Sequence, residues 1–324
     1  MSIINSVEQL RNHLPVGAAN SIKSLPNFSV AEERYLLPII GASLYDALQT
    51  PNSDAVQLLE KCRAVVAPFA YLLQLPFIQT TITDNGLIAM TAEGQRKAFQ
   101  WEYRGIEEAL TNQGYAAQEM LILYLQTNKA KFPTWSESPY NDSSDFAFIR
   151  NGAELGKAIT ITQPHRSFMM LRPLFAVVGE LTIQELLGTA FYNALSAKIF
   201  AGTISSAAEL QLLKLIRMTS ARLVMEQAST ELNIRFNSGN GFTVVDSLKD
   251  EPDAGRKNAR DTELQKFASL MKKDAAALME KISQLLDETA SAELFPEYFN
   301  SGKYTNPHEV SPKVITDRKG MVCL

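Results

Sequence analysis

The strongest constraint on this 324-residue chain is that it repeats itself. Pro26, Phe28, Glu33, Gly41, Tyr45, Ala47 and Leu48 return as Pro173, Phe175, Glu180, Gly188, Tyr192, Ala194 and Leu195, all at one offset of 147 positions. Leu58, Leu59, Arg63 and Ala67 return as Leu212, Leu213, Arg217 and Ala221 at an offset of 154, so the second copy has a longer loop around Lys198 to Ser206. Asp84-Asn85-Gly86 answers to Gly239-Asn240-Gly241, and Phe132-Pro133-Thr134-Trp135 to Phe295-Pro296-Glu297-Tyr298. Insertions fall between the periodic segments, where loops absorb them. Two long copies do not make a solenoid, whose repeats run to roughly 20–50 residues. They predict a tandem duplication of one domain.

Within each copy the apolar spacing is helical. Leu212, Leu213, Ile216, Ser220, Leu223 and Val224 mark one face, and Leu58, Leu59, Cys62, Val65, Val66, Phe69 and Leu73 mark its counterpart. Pro68 should kink the first-copy helix and Pro76 should end it. Phe99, Tyr103, Ile106 and Leu110 begin a further helix, with a break expected at Asn112 to Gly114. In the second copy Phe267, Met271, Leu278, Ile282 and Leu285 predict one unbroken helix. Between these segments the period falls to two around Asn85-Gly86 and again around Gly239-Asn240-Gly241, which predicts hairpin turns.

The expected fold class is therefore mainly α with small β-hairpins: a tandem duplication of a helical-bundle domain, each copy carrying one hairpin. The first domain is placed at 1–140 with its hairpin near 78–90. The second is placed at 145–299 with its hairpin near 233–245. Residues 133–144, carrying Pro, Ser and Asp, read as the linker, and 300–324 as an extended C-terminal tail. In that tail Lys313, Val314, Ile315, Met321 and Val322 are the candidate interaction residues, because extended apolar segments need a partner surface to stay ordered.

Reactive chemistry finds little support. His13, His165 and His308 lie far apart, without metal-ligand spacing. His165, after Pro164, reads as a helix-start or surface residue. Cys62 sits on an apolar stripe and reads as a small buried hydrophobe. Gly239-Asn240-Gly241 lacks the third glycine and following helix of a dinucleotide loop, and Gly41-Ala42-Ser43-Leu44-Tyr45 is no nucleophile elbow. Glu32-Glu33 and Glu107-Glu108 are adjacent pairs that diverge on a helix and read as solvated faces. Trp135 and Tyr298 occupy equivalent positions and read as packing residues. Arg63 and Arg217 recur at equivalent helix positions and are the candidate polar groups for a site in the cleft between the two repeats. No cofactor, metal or catalytic residue is expected.

Net charge is −4, with 10 basic and 15 acidic residues through Asp145 and 21 and 20 after it. Neither half is basic enough for a nucleic-acid footprint. No stretch approaches the roughly 20 apolar residues of a membrane span. The start, Met1 to Leu14, carries Glu8 and no long apolar core, unlike a signal peptide. With only two cysteines, the expected setting is the cytoplasm.

The run Tyr35-Leu36-Leu37-Pro38-Ile39-Ile40-Gly41 and the following Leu44-Tyr45-Asp46-Ala47-Leu48 carry a resemblance. With Asp84-Asn85-Gly86, the Trp101 to Tyr115 region and Ile149-Arg150-Asn151, they resemble a family of uncharacterised proteins from Bacteroides-type bacteria and their prophages. Such proteins look like members of phage structural gene clusters. The Tyr-Leu-Pro-Ile-Ile-Gly-like turn is similar to that of head–tail connector (adaptor) proteins of tailed phages, which form rings beneath the portal and are usually single-domain. The resemblance implies a non-enzymatic structural or assembly protein of a phage-derived particle. Its partners would be portal or tail components and further copies of itself. The alternative expectation is a ligand-binding protein or enzyme with a site between the repeats.

Overall fold

The computed structural model describes residues 2–15, 22, 25–50, 55–78, 80–83, 86–89, 99–141, 146–237, 241–245 and 254–307. They fall into two compact units: residues 1–145 with 162–169, and 146–161 with 170 onward. Both are mostly helical.

Unit 1 opens with a short helix, Val7–Arg11, whose start is fixed by two side chains. Ser6 accepts from the Gln9 N–H, and Gln9 accepts from the Asn5 N–H at 3.0 Å. A bent run follows: Ser29–Ala31, a π-turn over Glu32–Leu36, Leu37–Ile40, and then Ala42–Ala47 beyond Gly41. Two long helices, Val56–Ile78 and Gln100–Thr127, pack against each other and carry much of the core. Phe69 lies at its centre. Its ring stacks on Tyr35 at 3.8 Å and tilts against Tyr115 at 5.7 Å.

Three local expectations change here. The helix Val56–Ile78 runs on through Pro76, where an end is expected, because burial of its apolar stripe outweighs the N–H donors missing at Pro68 and Pro76. The expected break at Asn112 to Gly114 is absent. Gly114 is there for packing, since a Cβ on it would stand 2.5 Å from the Phe69 ring. The stretch from Pro133, expected as a linker, forms a 3-10 turn over Pro133–Glu137 that buries Trp135 completely.

Residues 162–169 also belong to unit 1, and they start the helix Pro164–Val178. The Glu119 carboxylate accepts from the His165 and Arg166 N–H groups at 3.2 and 2.8 Å, so it caps that helix. The Arg166 side chain is buried with its guanidinium 3.4 Å above the Tyr115 ring. Its Nε donates to Gln118 at 3.0 Å, and Gln118 in turn donates to the Tyr35 carbonyl at 2.7 Å.

Unit 2 repeats this order of elements. Its first helix, Gly152–Ala158, is capped by Asn151, which accepts from the Glu154 N–H at 3.0 Å, while Glu154 accepts from the Arg150 N–H at 2.8 Å. The bent run again has a π-turn, Gly179–Ile183, followed by Gln184–Leu187, Gly188 and Thr189–Ala201. Pro38 follows the first π-turn, yet Glu185 stands in the matching place of the second. The π-turn therefore does not depend on proline. The long pair is Ala207–Glu231 and Ala254–Thr289. Phe146, Phe148, Phe175 and Tyr192 form an aromatic cluster at the base of the bent run, with centroids 5.5 to 5.6 Å apart.

The expected fold class is corrected: it is helical, and a β-hairpin is not a supported component of either domain. The stretches near 78–90 and 233–245 lie largely outside the residues whose side chains are described. Backbone pairing there stops at Thr80–Thr83 with Gly86–Ala89 and Asn233–Asn237 with Gly241–Val245. Among the described residues neither pair has a third strand, and two strands alone are marginal in water. Turn chemistry in a sequence speaks only for a local reversal of the chain, whereas the bodies of both units are built by helix packing. The last described element is Pro296–Phe299, and residues 308–324 lie outside the described set.

One cap in unit 2 sets a pH dependence. Ser206 starts the helix Ala207–Glu231 in a reciprocal box with Glu209. Burial pushes the Glu209 carboxyl up, but Lys198 at 2.9 Å, the Ser206 and Ser205 N–H groups and the Ser206 hydroxyl outweigh it and bring the carboxyl to about 2. A depressed folded-state value means stabilisation that is complete above the ordinary carboxylate range and lost as pH falls through about 2. Glu209→Gln is therefore expected to lower stability at neutral pH, with the difference from wild type closing between about pH 4 and 2. Urea denaturation at several pH values measures it, and a pH-independent difference would contradict this account.

Candidate functional site

The segment before each first helix meets the first long helix of its unit at a fixed arginine. Arg63 donates from Nε to the Ile3 carbonyl at 2.9 Å, and Arg217 donates from Nε to the Phe148 carbonyl at 2.7 Å. These are the two residues that the repeat put forward as polar candidates for an inter-repeat site. Each instead pins the backbone of its own unit. Their second contacts differ. Arg63 pairs with Glu60, three residues away on its own helix and half exposed. Arg217 pairs with Glu154 of the capped first helix at 2.6 Å, largely out of solvent. Burial lowers the Arg217 value and Glu154 opposes that, so the guanidinium stays charged. Arg217→Lys keeps a charge but not the fork, and is expected to cost about 1–3 kcal/mol. Arg63→Lys should cost less, because an exposed pair on one helix contributes little. Chemical denaturation of both variants tests the order, and equal losses would contradict it.

Other sequence candidates settle into structural roles. Cys62 is fully buried and burial pushes its thiol up, which suppresses the thiolate. His13 faces Glu60 at 3.1 Å. His165 is buried at the start of its helix, where desolvation lowers its value against the opposing pull of Glu119. Trp135 donates from Nε1 to the Ile39 carbonyl at 2.9 Å and stacks on Tyr140. Tyr298 bonds to Asp287 at 3.2 Å and meets Phe191 edge-on. Among the described residues no group of three or more His, Cys, Asp or Glu side chains is placed to hold a metal ion. Lys313, Val314, Ile315, Met321 and Val322, the expected interaction residues, lie outside the described residues, as does His308.

The sequence missed one site. Glu32, expected on a solvated face beside Glu33, is only 5 % exposed, while Glu33 is exposed. Its Oε1 accepts from Ser2 Oγ at 2.6 Å and from the Ile3 N–H at 3.0 Å, and its Oε2 accepts from Tyr45 Oη at 2.9 Å. Burial, reinforced by Glu32, pushes the Tyr45 hydroxyl up, so Tyr45 remains a donor. The signal was present. Glu32 stands four residues after Phe28 and four before Leu36, both buried, so it lies on the apolar stripe and Glu33 does not. An open cavity of about 520 Å³ lies over this carboxylate, walled by Ile4, Phe28 and Leu37.

Comparison with known proteins adds one match. The model of a family of unknown function (DUF6712) matches twice, over residues 36–145 and 183–308. The internal repeat is thus a repeat of that family's domain. No curated protein matches the chain, and no solved structure matches it.

Proposed function

The chain belongs to the DUF6712 family, and on that footing we propose that it is a non-enzymatic assembly component, an adaptor of a phage-derived particle with a role like that of a head–tail connector. One observation carries the reading. The polar pair that recurs in both copies, Arg63 and Arg217, is spent on backbone carbonyls, so the duplication preserves a scaffold rather than a reacting pair. A duplicated scaffold presents two related surfaces to partners. Exposed aromatic surface is available for this: Phe99 and Trp101 stack at the start of a long helix and are 55 % and 70 % exposed.

The sequence resemblance to prophage proteins from Bacteroides-type bacteria supplies the setting, with portal or tail components as partners. The test has two parts. Genes for portal, capsid and terminase are expected beside the gene for this chain, and the protein is expected to co-purify with that portal when the two are co-expressed. Neighbouring genes of a metabolic operon, or a portal that leaves the chain behind in a pull-down, would defeat the proposal.

A further inference from the structure

The cavity over Glu32 has a chemical character that its counterpart in unit 2 lacks. Among the described residues that line it, Glu32 and Glu33 are acidic and none is basic. Glu32 is buried, and its three hydrogen bonds come from a serine hydroxyl, a backbone N–H and a tyrosine hydroxyl. All three donors are neutral. No described basic side chain lies within ion-pair distance of the carboxylate. Two donors occupy Oε1 and one occupies Oε2, while a carboxylate offers about four acceptor positions, so Oε2 retains one. A buried charge in this condition is costly until a cation reaches it.

The scaffold itself does not require this carboxylate. The position matching Glu32 in unit 2 is Gly179, in the same π-turn, and the matching tyrosine is Tyr192. There the Phe146 ring takes the space: a Cβ on Gly179 would lie 2.6 Å from it and 3.1 Å from Tyr192 Oη. One copy thus closes the position with an aromatic ring, and the other keeps a charged group beneath an open cavity.

We propose that the unit 1 cavity is a binding site for a guanidinium or ammonium group carried on a short apolar stem. The head group pairs with Glu32 Oε2, with Glu33 adding negative potential, and the stem lies against Ile4, Phe28 and Leu37. Such a group arrives either on a small molecule or as an arginine or lysine side chain of a partner chain. The inference stands apart from the adaptor proposal, because it concerns one cavity and a free probe can test it.

The experiment is a calorimetric and NMR titration of the full chain with butylguanidinium chloride and, separately, with an acetylated and amidated Leu-Arg-Leu peptide. Saturable binding that weakens with added salt is expected. Tighter binding of the free cation assigns a small-molecule source, and tighter binding of the peptide assigns a partner chain. Glu32→Gln should weaken binding at least about tenfold, the loss of one charge-assisted hydrogen bond. Leu25→Trp fills the cavity from its half-exposed rim, leaves both carboxylates in place, and should weaken binding as well. It keeps the test decisive if Glu32→Gln fails to fold. Tyr192→Phe, at the matching place in unit 2, should change nothing. Absence of saturable binding of either probe into the millimolar range overturns the proposal, as does undiminished binding in a folded Glu32→Gln or Leu25→Trp protein.

Discussion

Trp135→Ala is expected to destabilise unit 1 by about 3–5 kcal/mol, the range for removing a fully buried tryptophan. The side chain is 0 % exposed, stacks on Tyr140 and donates to the Ile39 carbonyl. That carbonyl lies at the end of the short helix Leu37–Ile40, where Gly41 turns the chain and the helical ladder stops. The mutation therefore leaves a cavity and an unsatisfied acceptor together. Trp135→Phe separates the two effects. It retains most of the ring volume and loses only the donor, so about 1–2 kcal/mol is expected. Far-UV circular dichroism during urea denaturation measures both variants. Equal losses would mean that the ring's packing contributes nothing beyond the indole N–H, a negligible loss for phenylalanine would mean that the N–H contributes nothing, and a negligible loss for alanine would mean that the 3-10 turn Pro133–Glu137 is dispensable to unit 1.

The matching residue in unit 2 works differently, which bears on how much the sequence could disclose. Trp135 and Tyr298 align through Phe-Pro, and both are buried, as their aromatic character suggests. Their polar ends go to unrelated partners: Ile39 for one, Asp287 and the Lys303 carbonyl for the other. Alignment gives the position and residue type gives the burial. Neither specifies a partner almost a hundred residues away. The same division explains the helices. Periodicity located the long pairs Val56–Ile78 with Gln100–Thr127, and Ala207–Glu231 with Ala254–Thr289. Local breakers misled at Pro76 and Gly114, because a breaker states a local cost and tertiary burial can exceed it. At Asn85-Gly86 and Gly239-Asn240 the residue types speak for a turn alone, whereas a domain component needs packing partners as well.

The Glu32 site shows the reverse failure. Adjacent glutamates diverge by about 100° on a helix, which separates the pair but does not say that both of its members face solvent. Only one of them could share a stripe with Phe28 and Leu36. The cavity above it was beyond sequence reasoning, because it depends on Ser2 and Ile3 reaching the bent run. The substitution of Gly179 at the matching position acquires meaning only once Phe146 is seen against it.

The second large effect is expected at the glycine that turns each bent run. Gly41 has φ +77° and ψ 162°, and Gly188 has φ +81° and ψ 143°, backbone geometry open to glycine and strained for any L side chain. Gly188→Ala should cost about 1–3 kcal/mol from that strain alone, since the nearest atom to a new Cβ is a Lys303 side-chain carbon at 3.9 Å. Gly41→Ala carries the same strain and a collision besides. Its Cβ would meet the Ser138 backbone at 3.1 Å and Ser138 Cβ at 3.2 Å, where the chain leaves the Trp135 turn. Backbone held there by Trp135 cannot yield as a lysine side chain can, so a further 1–3 kcal/mol, roughly, is expected. The readout distinguishes the copies. Both tryptophans, Trp101 and Trp135, belong to unit 1. Gly41→Ala should therefore shift the denaturation midpoint seen by tryptophan fluorescence. Gly188→Ala should shift only a component of the circular dichroism. Equal losses at the two positions would show that the Ser138 contact relaxes freely. No loss at either would remove the turn geometry from what holds the repeated domain together.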